Sequence, residues 1–238
     1  MDRIRPALLI TVQLALFLLL TGCASARNPS DPLEPLNRGI HRFNDTVDKA
    51  VFKPVAQAYD AVMPAPFKIM AGNFISNLDD ATVTINDLLQ FKFTLAASDG
   101  SRFVFNSTFG IFGLFDVASR LEKHHEDFGQ SLGYWGLGDG PYLVLPFLGP
   151  SSVRDATGLY VDTTYSVPNR VEDVPTRNQY YLGNFIHRRA DLLDQEKVLD
   201  VAMIDRYEFM RDTYLLHRRS RVYDGNPPRE RYDEFDDE

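Results

Sequence analysis

The chain has 238 residues, of which 44% are hydrophobic and 24% charged, and its net charge is −8. A chain of this size buries about 70% of its unfolded surface and makes one domain, or at most two small ones. The composition excludes a disordered or low-complexity body, and the negative charge argues against a duplex-wrapping nucleic-acid binder. The single cysteine, Cys23, excludes an intramolecular disulfide and a multi-cysteine zinc cage. Aromatic residues make up 12%, which calls for apolar burial or apolar partners.

Arg3 and Arg5 precede an apolar run from Ala7 to Leu20. That run is about fourteen residues, or about 21 Å as a helix, too short to cross about 30 Å of hydrocarbon. It fits a secretory signal. Leu20-Thr21-Gly22-Cys23 then resembles the bacterial lipoprotein signal, in which the cysteine takes a diacylglyceryl group and becomes the acylated N-terminus. By resemblance to lipoprotein sorting in enteric bacteria, Ala24 after the cysteine implies transfer to the outer membrane. The expected organisation is a removed signal at 1–22, a lipidated tether at 23–30, a helical domain at 31–218 and a disordered acidic tail at 219–238. No later run approaches eighteen apolar residues, so no ordinary spanning helix is expected in the mature body.

Asp31-Pro32-Leu33-Glu34 reads as a capping box with Asp31 as N-cap. Leu36, Ile40, Phe43, Val47 and Val51 follow on one helical face. Pro54 is expected to bend or end that helix. Pro64 and Pro66 mark a turn, and a second helix spans Ile69 to Leu89, with Leu78, Thr82, Ile85 and Leu89 sharing a face and Asn73, Asn77 and Asn86 punctuating it. Phe91 to Ala97 is a short apolar piece, and Asp99 is placed to cap a helix carrying Phe103, Val104 and Phe105.

Eight of the fifteen glycines fall between Gly110 and Gly149. Such a stretch is either a loop-rich functional region or a pair of buried strands, because interior glycines weaken helices. Ser151 and Ser152 are placed to cap a helix carrying Val153, Ala156, Leu159 and Tyr160. Val167 to Pro175 reads as a loop, and two last helices, Asn178 to Leu199 and Asp200 to His217, follow. Helix dominates. The apolar helical faces are either ordinary core or surfaces that lie within one membrane leaflet.

Gly129-Gln130-Ser131-Leu132-Gly133 matches the G-x-S-x-G nucleophile elbow of lipases, with His187 or His217 as base. The motif needs a buried strand ahead of it and a helix after it; the charged run before it and the glycines after it supply neither, so Ser131 is read as a serine in a glycine-rich loop. His124-His125-Glu126-Asp127 is read as a solvated charged segment rather than a metal site, because adjacent helical residues diverge by about 100°. Gly136-Leu137-Gly138-Asp139-Gly140 lacks the spacing and lysine of a phosphate loop and reads as a hinge or tight turn. Tyr142 to Leu148 is the most apolar stretch of the mature chain, either a buried strand or a lipid-contacting segment.

Several ordered motifs resemble the VacJ/MlaA lipoproteins of Gram-negative outer membranes. They are Asp31-Pro32-Leu33-Glu34-Pro35-Leu36-Asn37-Arg38, Phe43-Asn44 with Asp48, and Lys53-Pro54-Val55-Ala56. Further on come Asn106-Ser107-Thr108, Glu126-Asp127-Phe128-Gly129-Gln130-Ser131-Leu132-Gly133 and Gly140-Pro141-Tyr142-Leu143-Val144-Leu145-Pro146. His41 departs from the pattern, standing where the family usually has Phe or Tyr. The resemblance implies an all-α, ring-like domain lying in the inner leaflet of the outer membrane. It implies an amphipathic channel that removes mislocalised glycerophospholipids from the outer leaflet and passes them to a soluble periplasmic carrier, MlaC, beside trimeric porins. It implies no enzyme activity, no cofactor and no metal. On it, Gly136, Gly138 and Gly140 with Tyr142, Leu143, Leu145 and Phe147 are the expected channel edge and hinge. Asp31, Pro32, Asn37, Arg38, Phe43 and Asn44 form the expected first-helix motif. A membrane-anchored lipase using Ser131 and a porin-docking scaffold are the two rival readings.

Overall fold

A computed structural model describes residues 31–196 and 205–228. The signal segment, Cys23, the tether, the helix boundary expected near Asp200 and the acidic end lie outside them. The first observation concerns Asp31, which does not cap a helix. Helix α1 (Glu34–Val47) starts after Leu33 without a side-chain cap. The Asp31 carboxylate is instead fully buried, accepting hydrogen bonds from Asn37 Nδ2 (2.9 Å) and from the Tyr207 hydroxyl. A local capping pattern has been overridden by a distant partner.

Pro54 does not end the helix. A π-helical segment (Asp48–Phe52) joins α1 to α2 (Lys53–Val62), and the Lys53 N–H reaches back to the Asp48 carbonyl. Widening the ladder one turn before a proline absorbs its missing donor and its ring without breaking the rod.

Helix α3 (Ala65–Leu89) starts after Pro64, and α4 (Phe93–Thr108) follows a tight turn at Phe91 with φ +59°. The expected cap Asp99 lies inside α4 and is fully buried, bonded to His124. In α3 the faces are the reverse of those of a water-soluble helix. Asn77, Asp80, Asn86 and Asp87 are buried, whereas Ile85 is 53% and Leu89 43% exposed. In α1, too, Leu36 and Phe43 of the apolar face are exposed.

After α4 the chain turns through Ile111, Phe112 and Gly113, all with positive φ. The short helix α5 (Phe128–Tyr134) is capped by Asp127, whose carboxylate accepts the Gln130 N–H. Strands β1 (Tyr142–Leu145) and β2 (Gly149–Ser152) form an antiparallel hairpin in which Tyr142 pairs with Ser152 and Leu145 with Gly149. Ser152 then caps α6 (Val153–Tyr165) through the Asp155 N–H, as expected. Beyond a 3₁₀ turn (Pro168–Arg170) lie α7 (Val174–Asp191) and α8 (Arg206–Val222), the latter running past the expected domain end at 218.

Neighbour relations between elements close on themselves. α1 packs on β1, β2 on α8, α8 on α5, α5 on α3, α3 on α7, α7 on α2, and α2 returns to α1 through the π segment. The fold is thus helix-dominated and ring-like, with one small hairpin. α4 packs along α3, and α6 along α5. The α5–α6 approach is set by Gly129 and Gly158: a Cβ on Gly158 would lie 2.3 Å from the Gly129 nitrogen.

Among the described residues the fully buried set is mainly polar and charged, while phenylalanines, leucines, valines and isoleucines crowd the exterior. Fully burying one such side chain is worth about 1.5–3 kcal/mol, so an exterior of this kind calls for apolar surroundings. Among the described residues no helix is long and apolar enough to cross a membrane.

Candidate functional site

Three polar clusters fill the interior. In the first, Asp80 accepts from Lys123 Nζ at 2.5 Å and pairs with Arg102 Nε at 3.4 Å. Arg102 also donates to the carbonyls of Ala118 and Leu121 and so fastens the loop after α4. Burial raises the Asp80 carboxyl above the usual range despite these cations.

The second cluster contains the G-x-S-x-G serine. Ser131 lies in α5, not in a loop, and its Oγ donates to Asn86 Oδ1 at 2.8 Å and accepts from Gln90 Nε2 at 3.1 Å. Both ring nitrogens of a candidate base are absent from this set: His187 pairs with Tyr59. The serine is held between two amides, Asn86 in α3 and Gln90 just past its end. Glu126 is buried rather than solvated, accepting from Gln90, Gln130 and Lys92 at 2.7–3.0 Å. Asp127 and His124 are also engaged, with Arg218 and Asp99. The segment 124–127 is therefore a set of internal joints, which corrects its reading as solvated charge.

The third cluster is centred on Arg218, buried in α8. It donates to both oxygens of Asp127 (2.5 and 2.9 Å) and both oxygens of Asp155 (2.8 Å each), and Tyr214 donates to Asp155 at 2.5 Å. Burial works against the Arg218 charge, but the two carboxylates outweigh it and raise its pKa. Burial likewise pushes against ionised Asp155, and the Arg218 and Tyr214 bonds hold its pKa below the ordinary value.

Asp87 differs from all of these. It is fully buried and neither carboxylate oxygen has a hydrogen-bond partner. Burial, then the neighbouring Asp99 and Glu126, push its carboxyl up to about 7.

The expected site residues fall into two places. The first-helix motif and the apolar segment come together. Asn37 Nδ2 donates to the Tyr142 carbonyl and its Oδ1 accepts the Val144 N–H, each at 2.9 Å. Asn44 does the same to the Leu145 carbonyl (2.9 Å) and the Phe147 N–H (2.8 Å). Arg38 bonds Glu34, Asp205 and Glu208 and lies 4.4 Å over the Tyr207 ring, so α1 is tied to α8 as well. Pro32 occupies the turn before α1. Along β1, Tyr142 and Val144 are buried while Leu143 and Leu145 are half-buried, so the stretch is a strand with one core face. Phe147, 51% exposed with φ +65°, sits edge-on to Phe43 at 5.3 Å. An open apolar groove of about 500 Å³ lies here, lined by Pro35, Leu36, Ile40, Phe43, Pro146 and Phe147.

Gly136 and Gly138 lie elsewhere, while Gly140 leads into β1 beside Val153. Gly136 and Gly138 are open to space and, with Arg154, Arg219 and Tyr223, line a polar cleft of about 220 Å³. Gly136 (φ +90°) and Gly140 (φ +67°) need the left-handed backbone; Gly138 does not. The loop is fixed at its far end by Arg154 N–H to the Asp139 carbonyl and Val153 N–H to the Pro141 carbonyl.

The sequence reading missed the interior clusters. The signal was present: Asn73, Asn77, Asp80 and Asp87 share one face of α3 by spacing.

A sequence model of the family described as MlaA lipoprotein matches residues 29–221. Proteins of Shigella flexneri and Escherichia coli (strain K12), each named intermembrane phospholipid transport system lipoprotein MlaA, are 35% identical over 208 residues, covering 82% of this chain and 81% of theirs. The Haemophilus influenzae protein of the same name is 30% identical over 218 residues, covering 87% of each chain. A solved structure reported under the heading structural basis for maintenance of bacterial outer membrane lipid asymmetry superposes with TM-score 0.72 at 31% identity, over 83% of this chain and 100% of that one. The chain belongs to the MlaA lipoprotein family.

Proposed function

We propose that this protein removes mislocalised glycerophospholipids from the outer leaflet of a Gram-negative outer membrane, anchored there by acyl chains on Cys23. In this reading the lipids move through an amphipathic channel within the ring and pass to the periplasmic carrier MlaC, beside porin trimers. The reading takes residues 31–218 as the working domain. It takes Gly136, Gly138 and Gly140 as a hinge, and the hairpin held on α1 by Asn37 and Asn44 as an edge of the path.

The observation that carries the reading is the inverted distribution of polarity. An apolar exterior suits hydrocarbon, and the charged and amide side chains that join the helices are withdrawn from it; in this reading a head group moves beside polar elements of the ring and avoids bare hydrocarbon. A charge at the bilayer centre costs at least about 2.5–3.5 kcal/mol on insertion scales. The names of the relatives support the same direction.

The test uses cells lacking the gene, complemented with wild-type protein or Ser131→Ala. Outer-leaflet phospholipid is measured with an impermeant amine-reactive label and lyso-products by mass spectrometry. Deletion is expected to raise intact labelled phospholipid, and both proteins to restore it. Lyso-products that depend on Ser131 would establish a lipase instead. No change on deletion would leave a porin scaffold.

A further inference from the structure

We infer that the apolar groove between α1 and the hairpin seats an acyl chain carried by Cys23 of the same molecule, an inference that rests on the lipidation proposed above. The groove is lined by proline, leucine, isoleucine and phenylalanine side chains and by the bare backbone of Gly39. No charged or hydrogen-bonding side chain lines it. Such a surface takes hydrocarbon and gives a head group nothing to bind. Neither guanidinium of α1 lines it: Arg38 is held by Glu34, Asp205 and Glu208, and Arg42 Nε donates to the Arg38 carbonyl. A transported phospholipid would need a polar partner here; a chain delivered on a tether would not.

The groove is also preformed. Asn44 fixes Leu145 and Phe147 against α1, and the Phe43–Phe147 contact makes one wall. Gly39 leaves room: a Cβ there would meet nothing within 4 Å. Glycine inside a helix is unfavourable relative to alanine, so its place on the groove floor fits a need for space. Its size, about 500 Å³, lies within the range of small-ligand sites.

Tether length supplies the remaining argument. Eight residues lead from Cys23 to Asp31, a reach of at most about 29 Å. Asp31 is anchored by Asn37 and Tyr207, and the groove begins at Pro35, one turn further on. A link this short gives the attached chain an effective concentration on the order of millimolar at the groove.

The experiment uses the full chain purified from membranes, with the photo-crosslinker p-benzoylphenylalanine replacing Leu36 and, as a control, Val62, which is 81% exposed. After irradiation, adducts are identified by mass spectrometry. The expected result is an adduct between position 36 and the acylated Cys23 peptide, several-fold above position 62, and lost when Gly39→Leu fills the groove. Free phospholipid as the main adduct at position 36 would overturn the proposal in favour of a cargo site. Equal labelling at both positions, or an adduct undiminished by Gly39→Leu, would also overturn it. An unacylated Cys23 peptide would overturn the anchor reading itself, and is read separately from the intact N-terminal peptide.

Discussion

Asn37 and Asn44 stand two helical turns apart on α1, and each carboxamide both donates to and accepts from the backbone of the hairpin segment 142–147. Together they hold that backbone as a neighbouring strand would. The hairpin edge that would otherwise be open is closed by side chains.

Removing the Asn37 amide strands the Tyr142 carbonyl, the Val144 N–H and one Asp31 oxygen, two of them on fully buried residues. Asn37→Ala is expected to cost about 3 kcal/mol, since each orphaned buried group costs about 1–3 kcal/mol. Asn44→Ala, at a half-buried site, is expected to cost about 1 kcal/mol. Urea unfolding in detergent measures both. A loss below about 0.5 kcal/mol for Asn37→Ala would show that other contacts hold the hairpin.

Arg218 neutralises two carboxylates on different elements, Asp127 at the start of α5 and Asp155 in α6. Arg218→Met leaves Asp127 without its cation and Asp155 with only Arg154 and Tyr214, and is expected to cost about 3 kcal/mol. Arg218→Lys keeps the charge but loses the paired geometry, and should fall between Met and wild type. An equal loss for Lys and Met in the same unfolding assay would mean that shape, not charge, is what the site requires.

The Asp87 carboxyl titrates near 7, well above the ordinary value of 3.8. The folded protein therefore holds a proton that the unfolded chain has released. Between about pH 4 and 7 stability contributed by this group falls as pH rises, and above about 7 the full penalty remains. Asp87→Asn removes that dependence. The difference in Tm between variant and wild type, in detergent, is expected to widen from pH 5 to pH 8, with the variant the more stable at pH 8. A constant difference would contradict the assignment.

Gly158 and Gly129 allow α5 and α6 to meet backbone to backbone. Gly158→Ala forces them apart and is expected to cost about 2–3 kcal/mol, the upper part of the range for overpacking. Gly183→Ala, where a Cβ meets nothing within 4 Å, is the control and is expected to be neutral or slightly stabilising. Thermal melts of the two variants compare them directly.

The first two long helices were readable from periodicity, though α5 was read as a loop, and the order of motifs was enough to place the chain in its family. What periodicity does not encode is which face is outside. It reports two faces and leaves open whether the apolar one is core or lies against lipid; in α3 Asn77, Asp80 and Asn86 are buried and Ile85 and Leu89 exposed. The run 124–127 looked solvated because it is charged, although Glu126 is buried among Gln90, Gln130 and Lys92. Asp31 looked like a cap because its neighbours fit the pattern; its true partner, Tyr207, is 176 residues away. Ser152 was read correctly because a cap of that kind depends only on its own turn.

The bond between Asp31 and Tyr207 has a consequence for how the protein is made. It joins the first described turn to the last described helix, across 176 residues. While the ribosome is still adding residues, α1 emerges early and has to wait, because α8 and its half of the joint do not yet exist. Closing a loop that long also carries a large entropic delay. The ring is therefore completed only once α8 is present, and truncation before Tyr207 leaves an open arc in which Asp31 keeps only its Asn37 partner.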